Sequence, residues 1–221
     1  TNQSKRWEFV PGSEINVNER ILRRIRALVD MPQHGVQAGD VGGYVEHEEN
    51  LPPKSHAWIF NSAQVCGDAQ VCDNAQVCDN AQVCGKARVC GKATVFDYAQ
   101  VFDYAQVFDY AQVYGGARVC DDAWVYNSAR IYDNARVYSD AHVYNNAWVG
   151  GDAVICDSAD WIHVGPSTSS RPLPRRTGMR SWACASIAAA FPARWRNLQP
   201  QSKKRTRTAR KIWLDTGRFT G

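Results

Sequence analysis

The sequence predicts an all-β chain wound as a parallel solenoid. Three observations predict it: an unbroken six-residue period from Ala57 to Ser158, Ala and Val or Ile at its first and third positions, and Gly, Asp, Asn or Ser dominating its fifth and sixth. Positions one and three of a strand point to the same face. A six-residue period cannot form one stripe on an α-helix, so each hexad is a short strand followed by a corner. One hexad buries only one Ala and one Val, and it must stack on copies of itself.

In chain order, residues 1–56 are expected to form a leader that caps the repeat. Ile21 to Val29 fits either a helix, with Ile21, Leu22, Ile25, Leu28 and Val29 near one face, or a strand with Ile25, Ala27 and Val29 aligned. Periodicity alone does not choose between them. Gly35, Gly39, Gly42, Gly43, Pro52 and Pro53 punctuate the rest into short pieces.

Residues 57–164 form the array. Seventeen hexads run AWIFNS, AQVCGD, AQVCDN and onward to AVICDS; all begin with Ala, and the third position is Val in fourteen and Ile in three. The second position is mostly Gln, Arg or Trp and is expected to face water. Corner residues are those that tolerate left-handed backbone angles or close turns with their own side chains.

These hexads, together with the leader RIRALVDMPQHGVQAGDVGGYVEHEENL and its Gly42 to Glu46 GGYVE element, resemble the hexapeptide-repeat left-handed parallel β-helix family. Within it they are most similar to the YdcK-like bacterial and phage subgroup, whose hexads read A-x-V-Y-G-D or A-R-V-Y-x-N. The resemblance covers residues 7–164 and implies a single-stranded left-handed β-helix with three hexads per coil and strands in the N-terminal cap. Acyltransferase hexads of the family often place a small residue after the aliphatic one, where this chain has Cys, Phe or Tyr.

With three hexads per coil, residues eighteen apart become neighbours at about 4.8 Å, and six coils give a rod about 27 Å long. Position four then forms three ladders: Phe60, Cys78, Phe96, Tyr114, Tyr132; Cys66, Cys84, Phe102, Cys120, Tyr138, Cys156; and Cys72, Cys90, Phe108, Tyr126, Tyr144. At position two, Gln64, Gln82, Gln100, Arg118 and Arg136 line up as a flat polar face suited to self-association or to a protein partner.

The eight cysteines suggest a repeat slot before a disulfide framework, because five of them recur every six residues. Paired CxxC clusters are absent, so no metal site is predicted. Cys66 with Cys84 and Cys72 with Cys90 are close enough in the ladder for a bridge to be considered.

Residues 1–164 carry 13 Lys and Arg against 21 Asp and Glu, while the remaining 57 residues carry 13 basic residues against Asp215 alone. The net charge of +4 therefore describes neither part. Residues 165–221 read as an irregular basic tail after a Pro/Ser-rich linker, with Ser181 to Phe191 as a short Ala-rich helix. Lys203, Lys204, Arg205, Arg207, Arg210 and Lys211 are the residues through which the tail would meet nucleic acid, with Trp195 or Trp213 stacking. A membrane-surface role and a solvated tail are the competing readings. The loss of both pattern and acidic residues after Val164 also raises the hypothesis of a tail translated out of its ancestral frame, testable in the other two frames of the coding DNA.

Many relatives in the β-helix family are acyltransferases with a His general base, a protruding loop and a coenzyme A site. No loop interrupts these hexads, and His142, outward at position two, is the array's one candidate base. His34, His47, His56 and His163 come with no recognisable partner, and the recurrent Asp residues occupy corners. There is no Gly-rich phosphate loop, no GxSxG element, no outward Thr ladder for ice and no nonapeptide calcium pattern.

The expectation is thus a noncatalytic, cytoplasmic scaffold with no cofactor and no membrane span, self-associating or binding a protein. The alternatives are an acyltransferase using acyl-coenzyme A, and nucleic-acid binding through the tail. Three neighbouring hexads share FDYAQV across Phe96–Val113, which suggests duplication in whole units and favours the scaffold.

Overall fold

A computed structural model describes residues 5–156. The readings placed on residues 165–221, and on His163, lie outside these residues.

The leader begins with three antiparallel strands, β1 (Trp7–Phe9), β2 (Ile15–Val17) and β3 (Arg20–Ala27), followed by β4 (Val41–Val45). The two-way reading of Ile21 to Val29 resolves as strand as far as Ala27: β3 pairs with β1, β2 and β4, and Ile25 and Ala27 alternate into the core while Leu22, three residues before Ile25, is buried across a register shift between Arg24 and Arg26 and Ile21 is exposed. Two 3-10 turns, Pro32–His34 and Glu48–Asn50, are the only helical pieces among the described residues. No described helix is long and apolar enough to cross a membrane.

Seventeen two-residue strands follow, β5 (Trp58–Ile59) through β21 (Val154–Ile155), each at positions two and three of a hexad. Their parallel registers, such as Gln64 on Gln82 and Gln76 on Thr94, step by eighteen residues. The described array is therefore a parallel β-solenoid of about six turns with three walls, one coil per three hexads. β4 pairs in parallel with Gln64–Val65, so the leader's sheet runs on into one wall.

The interior is the repeat written in three dimensions. Every Val or Ile at position three is at most 3% exposed, and every Ala at position one is buried apart from the half-buried Ala153 in the final coil. Positions two, four and six donate their N–H groups to the next coil, as in Gln76 to Ala93 O (2.9 Å), Cys78 to Val95 O (2.8 Å) and Asn80 to Asp97 O (2.9 Å). This continuous ladder satisfies the backbone that so thin a core encloses.

At the corners, position five takes a positive φ in all sixteen described hexads that reach it, from 51° at Asn61 to 71° at Gly85. Position six does not, so the left-handed residue is confined to one slot of the two expected to carry the turn. Position-four aromatics stack as the ladders predict: Phe96 on Tyr114 at 4.8 Å, Tyr114 on Tyr132 at 5.5 Å, Phe108 on Tyr126 at 5.1 Å and Tyr126 on Tyr144 at 5.3 Å between ring centroids.

The GGYVE element seats the cap. A Cβ on Gly42 would lie 2.5 Å from the Ile59 carbonyl oxygen, and one on Gly43 would lie 2.6 Å from that of Ala63. Neither acceptor is a side chain that swings aside, so glycine is required by close approach.

Candidate functional site

The polar row expected at position two is present. Gln64, Gln82, Gln100, Arg118 and Arg136 pair in direct register, one per coil, up a single wall. Gln100 Nε2 reaches Gln82 Oε1 at 3.5 Å, a weak contact, so packing and register rather than amide bonding align the row. Burial, and then the neighbouring Arg136, hold the Arg118 guanidinium below its ordinary pKa.

The other two walls carry position-two aromatics in the later coils. Trp124 and Trp148 are exposed, and the Arg130 guanidinium lies 4.8 Å over the Trp148 ring. His142 is half-buried beneath Trp124, with ring centroids 5.3 Å apart and planes at 27°, and its edge meets Tyr126 at 6.3 Å. It is thus a stacked member of a wall, on the strand His142–Val143.

The leader histidines are employed in the fold. His34 Nε2 lies 2.6 Å from His56 O, and Gln76 Nε2 lies 3.0 Å from His34 Nδ1. A neutral imidazole donating from Nε2 and accepting at Nδ1 satisfies both contacts. Burial lowers its pKa accordingly, with the His56 carbonyl opposing. The partner of His34 is distant in sequence, which is why no local spacing signals it.

A second polar cluster closes the first coil. Arg20 Nη1 binds both Glu46 oxygens, at 2.8 and 3.1 Å, and Glu46 Oε2 accepts from the Gly67 N–H at 2.7 Å. Asn50, 1% exposed, donates to Gly67 O and Ala69 O, each at 2.7 Å, and accepts from the His47 N–H at 2.8 Å. Burial pushes the Glu46 carboxyl up, but the Gly67 N–H and Arg20 outweigh it and leave the pKa below its usual value. These groups cover the backbone edge that a first coil would otherwise expose.

No disulfide joins the described cysteines. Cys66 with Cys84, and Cys72 with Cys90, are facing thiols of successive coils, and within each pair one thiol's pKa is lowered and the other's raised. The second pair titrates together: the facing Cys72 thiol lowers Cys90 to about 7 while Cys72 is raised. Burial raises Cys78 and Cys120 each to about 12, with neighbouring Asp carboxylates adding to it. The thiols of Cys72 and Cys90 and a carboxylate oxygen of Asp73 lie within 4.8 Å of one another, a grouping that sequence spacing did not flag.

Compared with known families, residues 129–145 match the YdcK beta solenoid repeat. No curated protein matches the chain. The match lies wholly within the array, where the hexads ARIYDN and ARVYSD stand.

Proposed function

We propose that this protein is a noncatalytic, left-handed β-solenoid scaffold that self-associates through a flat wall. The observation that carries this reading is the row Gln64, Gln82, Gln100, Arg118 and Arg136, one side chain per coil on a rigid, hydrogen-bonded surface. Such a face offers regularly spaced donors and acceptors to a second copy at small conformational cost. We place the protein with the YdcK-like bacterial and phage hexapeptide-repeat group, in the cytoplasm, where its thiols stay reduced. Residues 1–56 act as cap, 57–164 as array and 165–221 as a basic extension.

The test is sedimentation velocity on the full chain. Arg118→Glu with Arg136→Glu is expected to disperse the assembly, and Arg118→Gln with Arg136→Gln, which only extends the Gln row, is expected to leave thermal unfolding unchanged. Assembly that survives the Glu pair overturns the wall as the contact. Turnover of acyl-coenzyme A lost on His142→Ala would establish the enzyme reading instead. Salt-sensitive nucleic-acid binding lost on truncation after Val164 would move function to Lys203, Lys204, Arg205, Arg207, Arg210 and Lys211.

A further inference from the structure

Cys72 and Cys90 hold position four of successive coils on one wall, where Arg88 and Val89 pair with Gln70 and Val71. Asp73 follows Cys72 at the corner, with φ at 58°. Both thiols are half-buried and the carboxylate is exposed, so the three groups converge at the surface with access from solvent. We propose that Cys72, Cys90 and Asp73 form a binding site for a borderline-soft divalent cation of the zinc class, with the fourth coordination position open to water.

Three features support the assignment. Tetrahedral coordination at about 2.3 Å for sulfur and about 2.0–2.2 Å for oxygen sets ligand atoms roughly 3.3–3.8 Å from one another. The three donors already lie within 4.8 Å of each other, so small side-chain rotations suffice. Their backbone is held: Cys72 N–H donates to Val89 O at 2.9 Å, and Cys90 N–H to Val107 O at 3.0 Å. Asp73 Oδ2 accepts from the Gly91 N–H at 3.0 Å, which fixes the carboxylate and leaves Oδ1 for the ion. Two thiolates and one carboxylate exceed a dication by one negative charge, and Arg88 stands on the same wall two residues before Cys90 to balance it.

The neighbouring coils supply the contrast. Cys66 and Cys84 form an equivalent pair, but the residue after Cys66 is Gly67, which brings no third donor. Cys78 stands between Phe60 and Phe96 in its ladder and has no second thiol there. Sulfur, sulfur and carboxylate therefore meet at one corner among the described residues.

The experiment titrates Co2+, as a spectroscopic stand-in, and then Zn2+ into the reduced full chain carrying Cys184→Ser, which removes the one cysteine outside the described residues as a competing thiol. One Co2+ per chain is expected, with a thiolate-to-metal charge-transfer band that Zn2+ displaces. Cys72→Ser and Cys90→Ser should each abolish the band, and Cys66→Ser with Cys84→Ser should leave it intact. Asp73→Asn keeps both the corner conformation and an acceptor for Gly91, so folding is preserved. Loss of an outer-shell partner alone weakens metal sites about 10–100-fold, so loss of this direct ligand should cost at least about tenfold in affinity. The site is overturned by absence of the band at millimolar Co2+, by a band that follows the Cys66–Cys84 pair, or by Asp73→Asn binding as tightly as the unsubstituted chain. A Cys72–Cys90 disulfide that persists under reductant overturns it as well.

Discussion

At position five of the hexad one residue does two jobs. Its backbone is left-handed, and where it is Asp its carboxylate accepts the N–H of the position-five residue one coil on: Asp109 to Asn127 at 3.0 Å, Asp121 to Ser139 at 3.0 Å, Asp133 to Gly151 at 3.0 Å. The preference for Asp over Gly in this slot thus reflects an otherwise unpaired corner N–H as well as tolerance of positive φ. Asp109→Ala removes both, together with the bond from Asn127 Nδ2 at 3.0 Å, and is expected to cost about 2.5–5 kcal/mol, adding roughly 1–2 for the left-handed backbone to about 1.5–3 for hydrogen bonding to the carboxylate. Asp109→Gly should cost about 1.5–3 kcal/mol, and Asp109→Asn, which keeps an acceptor, less than either; urea unfolding of the three distinguishes the contributions. The thiols give a second check at this scale. With its first proton leaving near pH 7, the Cys72–Cys90 pair should be alkylated by iodoacetamide at pH 8 well before Cys78 or Cys120, which titrate near 12, as read by peptide mass mapping.

Among the elements, the cap is where specific chemistry replaces repetition. Glu46 stands in for the corner Asp that a preceding coil would have provided, since it accepts the N–H of Gly67, a position-five residue. Its folded pKa is depressed, so its stabilising contribution is present above the unfolded carboxyl pKa and is lost as pH falls through the folded value. Glu46→Gln should therefore destabilise at pH 7 by about 1.5–3 kcal/mol, the range for a charged hydrogen bond, and the difference should start to shrink as pH falls below the ordinary carboxyl pKa of about 4.3 and go on shrinking through the lower folded value. Thermal unfolding across that range measures it. β4 depends on its glycines in the same local way. Gly43→Ala drives a Cβ into the Ala63 carbonyl and should cost about 1–3 kcal/mol, visible as a lowered melting temperature.

For the whole molecule, the relevant unit is the coil and not the hexad. Residues Phe96–Val113 are three copies of FDYAQV and make up one complete coil, so their removal joins Val95 to Tyr114 with every wall in register. This deletion should give a shorter folded rod with a proportionally smaller m-value in urea. Removing one copy, 102–107, shifts every later hexad to the adjacent wall. Gly115 then loses the Asp97 carboxylate that accepts its N–H at 3.1 Å, and Tyr114 leaves its stack on Phe96. Although it removes fewer residues, the six-residue deletion should lower the melting temperature more.

The period, the burial of position-one Ala and of position-three Val and Ile, and the placing of the corner at positions five and six were legible in the amino-acid order, because alternation and a fixed repeat are local properties. The aromatic ladders need the eighteen-residue step that the family resemblance implied, and the structure alone put the positive φ at position five rather than six. The candidate sites were legible only in part. The row from Gln64 to Arg136 follows directly from the eighteen-residue step, and Cys72 with Cys90 appears as a possible pair by the same count. Asp73 as the third donor does not follow, because whether the carboxylate of a corner residue turns along the rod or toward the wall is settled by the N–H it finds in the next coil. The choice between helix and strand for Ile21 to Val29, the engagement of both His34 nitrogens and the closure of the first coil by Arg20, Glu46 and Asn50 likewise belong to the tertiary structure alone. Apart from β2, which meets β3 across a two-residue turn, the decisive partners are remote in sequence, and only the folding of the chain brings them within hydrogen-bonding distance.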